Sequence, residues 1–395
     1  MSLMDRRQML KLMATVSATG LAAACGIDDE DGAEKRGEPI KIGVIAPQTG
    51  GFKPIGEEMI NGFQLFLDFH NNQLGGYPVE VIIADEGETP QSGRAALERL
   101  IKEDVLAITG VANSEVMLSL REPIEQARIP LIGSNASPRS LQGVIYIWRT
   151  SYVNDEPGLA LGPLVKRQLR STDRISLIAP DYTAGRDAIQ GFRESFGADP
   201  RLSLPVIWTP FTTNPSRGSF RGAVQELLAQ NPQAVYCFFA EAAAVEFLKE
   251  LRGAGFRGRI YGPGFLTEGS VVDELGDAAR GIITALNYSA DLDNAANMRF
   301  TTSYRKKHGS SPTTYAMASY DAAQVLDRAI RLTKGDLTPQ QVNLALGKIG
   351  LIDSPRGPWH FNQSRTPLQS WYLREVRRDG TVLGNVTLTE LTTLG

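Results

Sequence analysis

Ile40-Lys41-Ile42-Gly43-Val44-Ile45-Ala46 decides the fold, because it is a short, β-rich apolar run that gives way to a helical pattern over residues 57–71. The same pairing then recurs. Apolar runs at 79–84, 105–109, 129–132 and 144–148 alternate with amphipathic stretches at 91–103 and 114–127. A second series places strands at 175–179, 204–208, 234–239, 259–261 and 281–286, with helices at 186–196, 217–230 and 241–254 among them. Strands alternating with helices of this length predict sheets covered by helices, and two such series predict two doubly wound, Rossmann-like α/β lobes. Helical patterns at 295–308, 316–333 and 339–347 and a strand-like tail over 357–391 complete the core. The repetition is at the scale of a whole lobe; there is no short tandem repeat.

Upstream of that first strand the chain reads as a targeting segment. Asp5-Arg6-Arg7-Gln8-Met9-Leu10-Lys11 is basic and resembles a twin-arginine export motif, and residues 12–21 are mildly apolar. Leu21-Ala22-Ala23-Ala24-Cys25 then ends the run with small residues before a cysteine. That order resembles a bacterial lipoprotein signal, which implies an exported protein held on the extracytoplasmic face of a lipid bilayer through acyl chains on Cys25. A membrane span is disfavoured, since about ten apolar residues fall well short of the roughly 20 needed. Residues 26–38 carry Asp28, Asp29, Glu30, Asp31, Glu34, Lys35, Arg36 and Glu38 with a single large aliphatic residue, too little apolar surface to fold. They read as a flexible tether spanning on the order of 20 Å.

Composition narrows the function. Without residues 1–24 the chain has 38 basic against 43 acidic residues, a net charge of −5, which disfavours nucleic acid as a partner. The only cysteines are Cys25 and Cys237, so acylation of the first leaves the second without a partner. No G-x-S-x-G, H-E-x-x-H, Walker-type or C-x-x-C signature occurs. His70, His308 and His360 lie far apart, and none is followed by a second ligand at metal spacing. Gly262-Pro263-Gly264 lacks the third glycine of a dinucleotide fingerprint. Neither a cofactor nor a metal is called for, and the chemistry points to binding.

In open α/β sheets ligands sit beyond the carboxyl ends of the strands. Two loops there carry hydroxyls where a helix would start: Gly110-Val111-Ala112-Asn113-Ser114-Glu115 and Gly133-Ser134-Asn135-Ala136-Ser137-Pro138. Free backbone N–H groups and a hydroxyl at a helix N-terminus suit a carboxylate. The same residues also fit plain N-caps, with Pro138 at the first helical position. Pattern alone leaves both readings open.

The order Lys41-Ile42-Gly43-Val44, Thr49-Gly50, Gly56, Asn61-Gly62, Gly110-x-x-x-Ser114, Ile129-Pro130-Leu131-Ile132, Ser137-Pro138, Arg149-Thr150, Gly185 and Leu251-Arg252-x-Ala254-Gly255-Phe256 resembles the type I periplasmic binding proteins of branched-chain amino acid importers. The resemblance covers nearly the whole mature chain. It implies lobe I from residues 39–152 plus 288–357 and lobe II from 153–287 plus 358–395, joined by a three-stranded hinge near 150–154, 286–289 and 357–361. It also implies a Venus-flytrap mechanism in which a ligand closes the lobes and the closed form is recognised by the membrane permease of an ABC importer. In that family Ser114 and Ser137 match hydroxyls that bind the ligand carboxylate, Asn135 matches a backbone contact beside it, and Ile55 and Tyr152 fall near the cleft mouth. Asn113 and Ala136 belong to the same two loops.

The second-lobe match departs from the family at informative positions. The acidic residue that holds an amino-acid ammonium is replaced by Gly264, and two tyrosines are replaced by Ala184 and Ala240. A buried ammonium without a carboxylate costs several kcal/mol, so the ligand expected is a small carboxylate, aromatic or aliphatic. Tyr182, Phe265 and Glu241 lie beside the altered positions and are candidates to line a reshaped pocket; packing of a lobe surface and helix capping account for them equally well. The family's first-lobe disulfide pair is also replaced, by Gly87 and Asn113. The function expected is that of a solute-binding lipoprotein of an ABC importer. A ligand-sensing receptor module of the same fold is the alternative, and a secreted enzyme is disfavoured by the missing nucleophile–base pairs.

Overall fold

The computed structural model describes residues 37–395, so the signal, Cys25 and most of the tether lie outside the described residues. The first sheet holds β1 (Ile40–Ala46), β2 (Gln73–Leu74), β3 (Tyr77–Asp85), β4 (Ala107–Gly110), β5 (Leu131–Gly133) and β6 (Ile147–Arg149) in the order β2-β3-β1-β4-β5-β6. All neighbours except β2 and β3 run parallel. The chain therefore winds outward from β1 in both directions, to β3 on one side and to β4 on the other. Its helices are α1 (Lys53–Phe69), α2 (Pro90–Lys102) and α3 (Ser114–Ala127).

After α4 (Glu156–Gln168) the second sheet begins with β7 (Ile175–Pro180). It continues with α5 (Thr183–Phe196), β8 (Ile207–Thr209), α6 (Arg221–Ala229), β9 (Ala234–Cys237), α7 (Glu241–Gly253) and β10 (Arg259–Pro263). The short α8 (Val271–Leu275) precedes β11 (Ile283–Leu286). Strand order is β12-β13-β11-β10-β9-β7-β8, with β12 (His360–Phe361) and the long hairpin β13 (Pro367–Asp379) and β14 (Val382–Leu394) added antiparallel at one edge. Here too the winding reverses beside the first strand, between β7 and β9. A doubly wound sheet opens a crevice where its direction reverses, so each lobe offers one crevice, beside β1 and β4 in the first and beside β7 and β9 in the second.

Between β11 and β12 the chain returns to the first lobe as α9 (Ala295–His308), α10 (Thr314–Leu332) and α11 (Pro339–Leu346). Val325, Leu326, Ala329 and Leu346 pack with Ile42, Phe63, Phe66 and Trp148 in one buried cluster. Trp359 and Phe361 join that cluster beside Trp148, and the Arg149 backbone N–H donates to the Arg365 carbonyl at 3.0 Å. Around the third crossing expected at 357–361 the chain thus touches both lobes, with its rings in the first core and β12 paired to β13 of the second sheet.

Where the crossings meet, Arg356 is fully buried and donates to the carbonyls of Thr150 at 2.7 Å and Ser151 at 3.0 Å and to Asp321 Oδ2 at 2.8 Å. Asn287 Nδ2 donates to the same Ser151 carbonyl at 3.0 Å and to Gln369 Oε1 at 2.9 Å. One arginine and two amides thus tie all three crossings into a single polar knot.

Candidate ligand-binding site

The two crevices face each other across a narrow cleft with about 390 Å³ of empty space, part of it open to solvent. From the first lobe it is lined by Phe52, Ile55, Ala112, Ser114, Asn135 and Ala136, and from α10 by Tyr315. Tyr152, Asn154, Tyr182, Ala184, Phe238, Ala240 and Phe265 complete the lining. Phe52 and Ile55 follow β1, Ala112 and Ser114 follow β4, Tyr182 and Ala184 follow β7, and Phe238 and Ala240 follow β9. These are the loops on either side of each topological reversal.

On the first-lobe side, α3 starts one residue earlier than a serine cap requires. Asn113 is the N-cap, its side chain accepting from the Glu115 backbone N–H at 2.8 Å, and Ser114 is the first helical residue. Its backbone N–H therefore has no intrahelical acceptor, and its Oγ receives only a bond from Asn154 Nδ2 at 3.2 Å. The hydroxyl proton is left to donate. Ser137 does not cap a helix either, because residues 138–146 form turns rather than a helix: Leu141 and Val144 are drawn into the core and Gly143 takes a left-handed φ of 67°. The Ser137 hydroxyl is fully buried and has no hydrogen-bond partner among the described residues. The cap reading fails for both serines.

The loop that carries Ser114 is fixed from behind by a residue that sequence reasoning missed. Glu86 is completely buried and accepts from the backbone N–H groups of Ala112 and Asn113, both at 2.7 Å. Burial pushes its carboxyl up to about 8, against the two N–H bonds that pull it down. Where the family has a disulfide, at the positions of Gly87 and Asn113, a buried carboxyl group staples the same two segments. Its only sequence signal was an acidic residue closing an apolar strand.

A run of rings, centred on Phe265 of the second lobe, forms the rest of the lining. Phe265 stacks on Tyr315 at 5.8 Å with 8° between planes, and meets Tyr152 at 5.5 Å and Phe238 at 6.1 Å. Tyr182 stands 6.1 Å from Phe238 and stacks on Phe211 at 4.1 Å. Burial raises the Tyr152, Tyr182 and Tyr315 hydroxyls above the usual phenol range, keeping them neutral donors. The Tyr315 hydroxyl has no partner among the described residues. Gly264 leaves no room for the acidic side chain that an amino-acid binder carries: a Cβ there would lie 2.7 Å from the Leu286 side chain.

Of the nine sequence-predicted site residues, Ser114, Asn135, Ala136, Tyr152, Tyr182 and Phe265 line the cleft, whereas Asn113, Ser137 and Glu241 lie behind its surface. Glu241 opens α7 with a left-handed φ of 48°, and burial beside Glu58 and Glu268 pushes its carboxyl up to about 8. Phe52, Ala112, Asn154, Phe238 and Tyr315 were not predicted. Their types gave no signal, since an aromatic ring at a strand end or helix start reads as core.

A match to the periplasmic binding protein family spans residues 39–381. The chain belongs to that family. Among its relatives, Leu/Ile/Val-binding protein homolog 6 of Brucella suis biovar 1 is 27% identical over 356 residues, covering 87% of this chain and 89% of that protein. Among solved structures, a solute-binding protein of an ABC transporter from R. palustris, in complex with benzoate, is 28% identical with a TM-score of 0.82, over 90% of this chain and 97% of the other. A second, from Rhodopseudomonas palustris BisB5 in complex with 3,4-dihydroxybenzoic acid, is 26% identical with a TM-score of 0.83, over 90% and 98%. The two lobes described above are accordingly those of a type I periplasmic binding protein of the branched-chain amino acid family.

Proposed function

We propose that this binding protein takes a small aromatic monocarboxylate into the cleft between its lobes and presents it to the membrane permease of an ABC importer. The observation that carries the reading is the lining itself: Phe52, Tyr152, Tyr182, Phe238, Phe265 and Tyr315 surround a space whose polar lining is Ser114, Asn135 and Asn154 plus the start of α3. Rings bind a ring through burial and offset stacking. The carboxylate is received by neutral donors, the Ser114 hydroxyl and backbone N–H, helped by the positive end of the α3 dipole. The start of α5, which also faces the cleft, is already taken: Glu115 Oε1 accepts from the Thr183 backbone N–H at 3.0 Å and from its hydroxyl at 2.6 Å.

Hinge closure about the crossings near 150–154, 286–289 and 357–361 brings the walls together, with residues 39–152 and the helices of 288–357 moving as one lobe. The benzoate complex of the R. palustris relative supports the ligand class. Export and acylation at Cys25 anchor the protein to the bilayer; among the described residues no helix is long and apolar enough to cross a membrane. A thermal-shift panel tests the ligand class, because a ligand at one hundred times its dissociation constant stabilises the fold by roughly 2.7 kcal/mol. Benzoate and its hydroxylated relatives are expected to score above leucine, isoleucine and valine, and the reverse order would overturn the proposal.

A further inference from the structure

Asp85-Glu86-Gly87-Glu88 leaves the end of β3, and its three carboxyl groups each hold a different part of the cleft. Asp85 accepts from the Gln48 backbone N–H at 2.8 Å and the Thr49 hydroxyl at 2.7 Å, fixing the loop after β1. Glu86 holds the loop after β4. Glu88 Oε1 accepts from the Gly51 backbone N–H at 2.8 Å and, across the cleft, from the Thr213 hydroxyl. Gly51 and Glu88 belong to the first lobe, whereas Thr213 sits in the second-lobe loop between β8 and α6.

At this point the lobes touch through their backbones: a Cβ on Gly51 would lie 2.1 Å from the Thr213 carbonyl oxygen. Side chains continue the contact inward. Phe52 meets Phe211 edge-on at 6.1 Å, and Phe211 stacks on Tyr182 at 4.1 Å, so the contact at the mouth runs into two of the rings that line the cleft.

We propose that Glu88 is a latch of the cleft, a positioning residue that fixes Gly51 and captures Thr213 so that, together with the Glu115–Thr183 bonds, the lobes are held shut by their own contacts and a ligand leaves more slowly while the bond to Thr213 is closed. The inference rests on the cleft being the binding site but not on which acid it binds. Glu88 is exposed on its outer side, so solvent screening places the effect at the low end for a charge-assisted bond. A purely structural role is distinguishable, because a residue that only fixes the Gly51 loop would act within the first lobe and be indifferent to Thr213.

Stopped-flow kinetics on the full chain, with benzoate as the probe, reads the latch. Thr213→Val and Glu88→Ala are each expected to raise the dissociation rate about three- to tenfold with little change in association rate. Glu88→Gln, which keeps the acceptor oxygen, should recover part of the loss. The double variant should be no faster than the worse single, since both remove one bond. Wild-type dissociation rates in Thr213→Val would overturn the latch. Gly51→Val wedges the mouth, and X-ray scattering should show the ligand-free chain more extended than wild type. If the wild type does not bind benzoate, the ligand class fails and scattering alone decides: a Gly51→Val chain as compact as wild type would overturn the latch.

Discussion

The first-lobe wall of the cleft sets hydroxyl and backbone donors at the loop ends after β4 and β5 beside Phe52, Ile55 and Tyr315, whereas the second-lobe wall is made of rings and alanines at the ends of β7, β9 and β10. The first supplies direction, because its donors are aimed by a buried carboxyl group behind them. The second supplies area and shape. Against the family pattern, Ala184, Ala240 and Gly264 alter only the second wall, so under the proposed function a scaffold that holds amino acids would take a flat acid without changing how it holds a carboxylate. Predictions follow from that division, starting with the joint between the walls.

Arg356→Met leaves Asp321 buried without its charge partner, and losing one member of such a pair costs about 3–5 kcal/mol. Urea unfolding is expected to show a loss of that order together with weaker binding. A loss under about 1 kcal/mol would mean that the crossings are joined elsewhere. On the first wall, Ser114→Ala should weaken benzoate by roughly ten- to a hundredfold, the value of a charge-assisted bond of about 1.5–3 kcal/mol. Because Asn113 rather than Ser114 caps α3, stability of the free protein should change little. A drop in stability with unchanged affinity would return Ser114 to a structural role. On the second wall, Ala240→Tyr overfills the ring pocket at about 1–3 kcal/mol, so benzoate should weaken by roughly five- to a hundredfold while leucine gains nothing, Gly264 still lacking an acid. Measurable leucine binding by that variant would show that the ammonium finds another partner.

These walls differed in how far the sequence revealed them. Alternating strands and helices gave both lobes, since each element carries its own periodicity. Ser114 and Asn135 were reached through their strand-end loops together with the family resemblance, because a hydroxyl or amide after a strand fits a helix cap as well as a ligand. Phe238 and Tyr315 were not, because burying a ring satisfies the same pattern in a core and in a pocket. Glu86 was hidden for another reason: its partners are backbone amides more than twenty residues away, and only folding brings them together. The β5–β6 connection shows the converse, a cap signal at Ser137-Pro138 overruled by the burial of Leu141 and Val144.

The smallest expected effect is that of pH on the free fold. Burial pushes the Glu58 carboxyl up to about 7 and those of Glu86, Glu156 and Glu241 up to about 8, all above the ordinary carboxylate value. The native state then holds more protons than the unfolded chain, so the stability these groups contribute is complete below about pH 4.5 and is lost as pH rises through about 7 to 8. Asp85, which its hydrogen bonds pull down, titrates below that window. The melting temperature is expected to fall by a few degrees from about pH 5.5 to 8.5, and Glu241→Gln should flatten part of the slope. An upward slope would place these carboxyls in charged rather than neutral form.

Calorimetric titration of the wild-type chain with benzoate, benzamide and leucine addresses the division between the walls most directly. Benzoate tests both walls at once, benzamide keeps the ring but removes the charge that the first wall reads, and leucine keeps the carboxylate but adds an ammonium that the second wall cannot hold. The account predicts binding of benzoate, a loss of at least about tenfold for benzamide, and no measurable heat for leucine. Leucine binding as tightly as benzoate would contradict it.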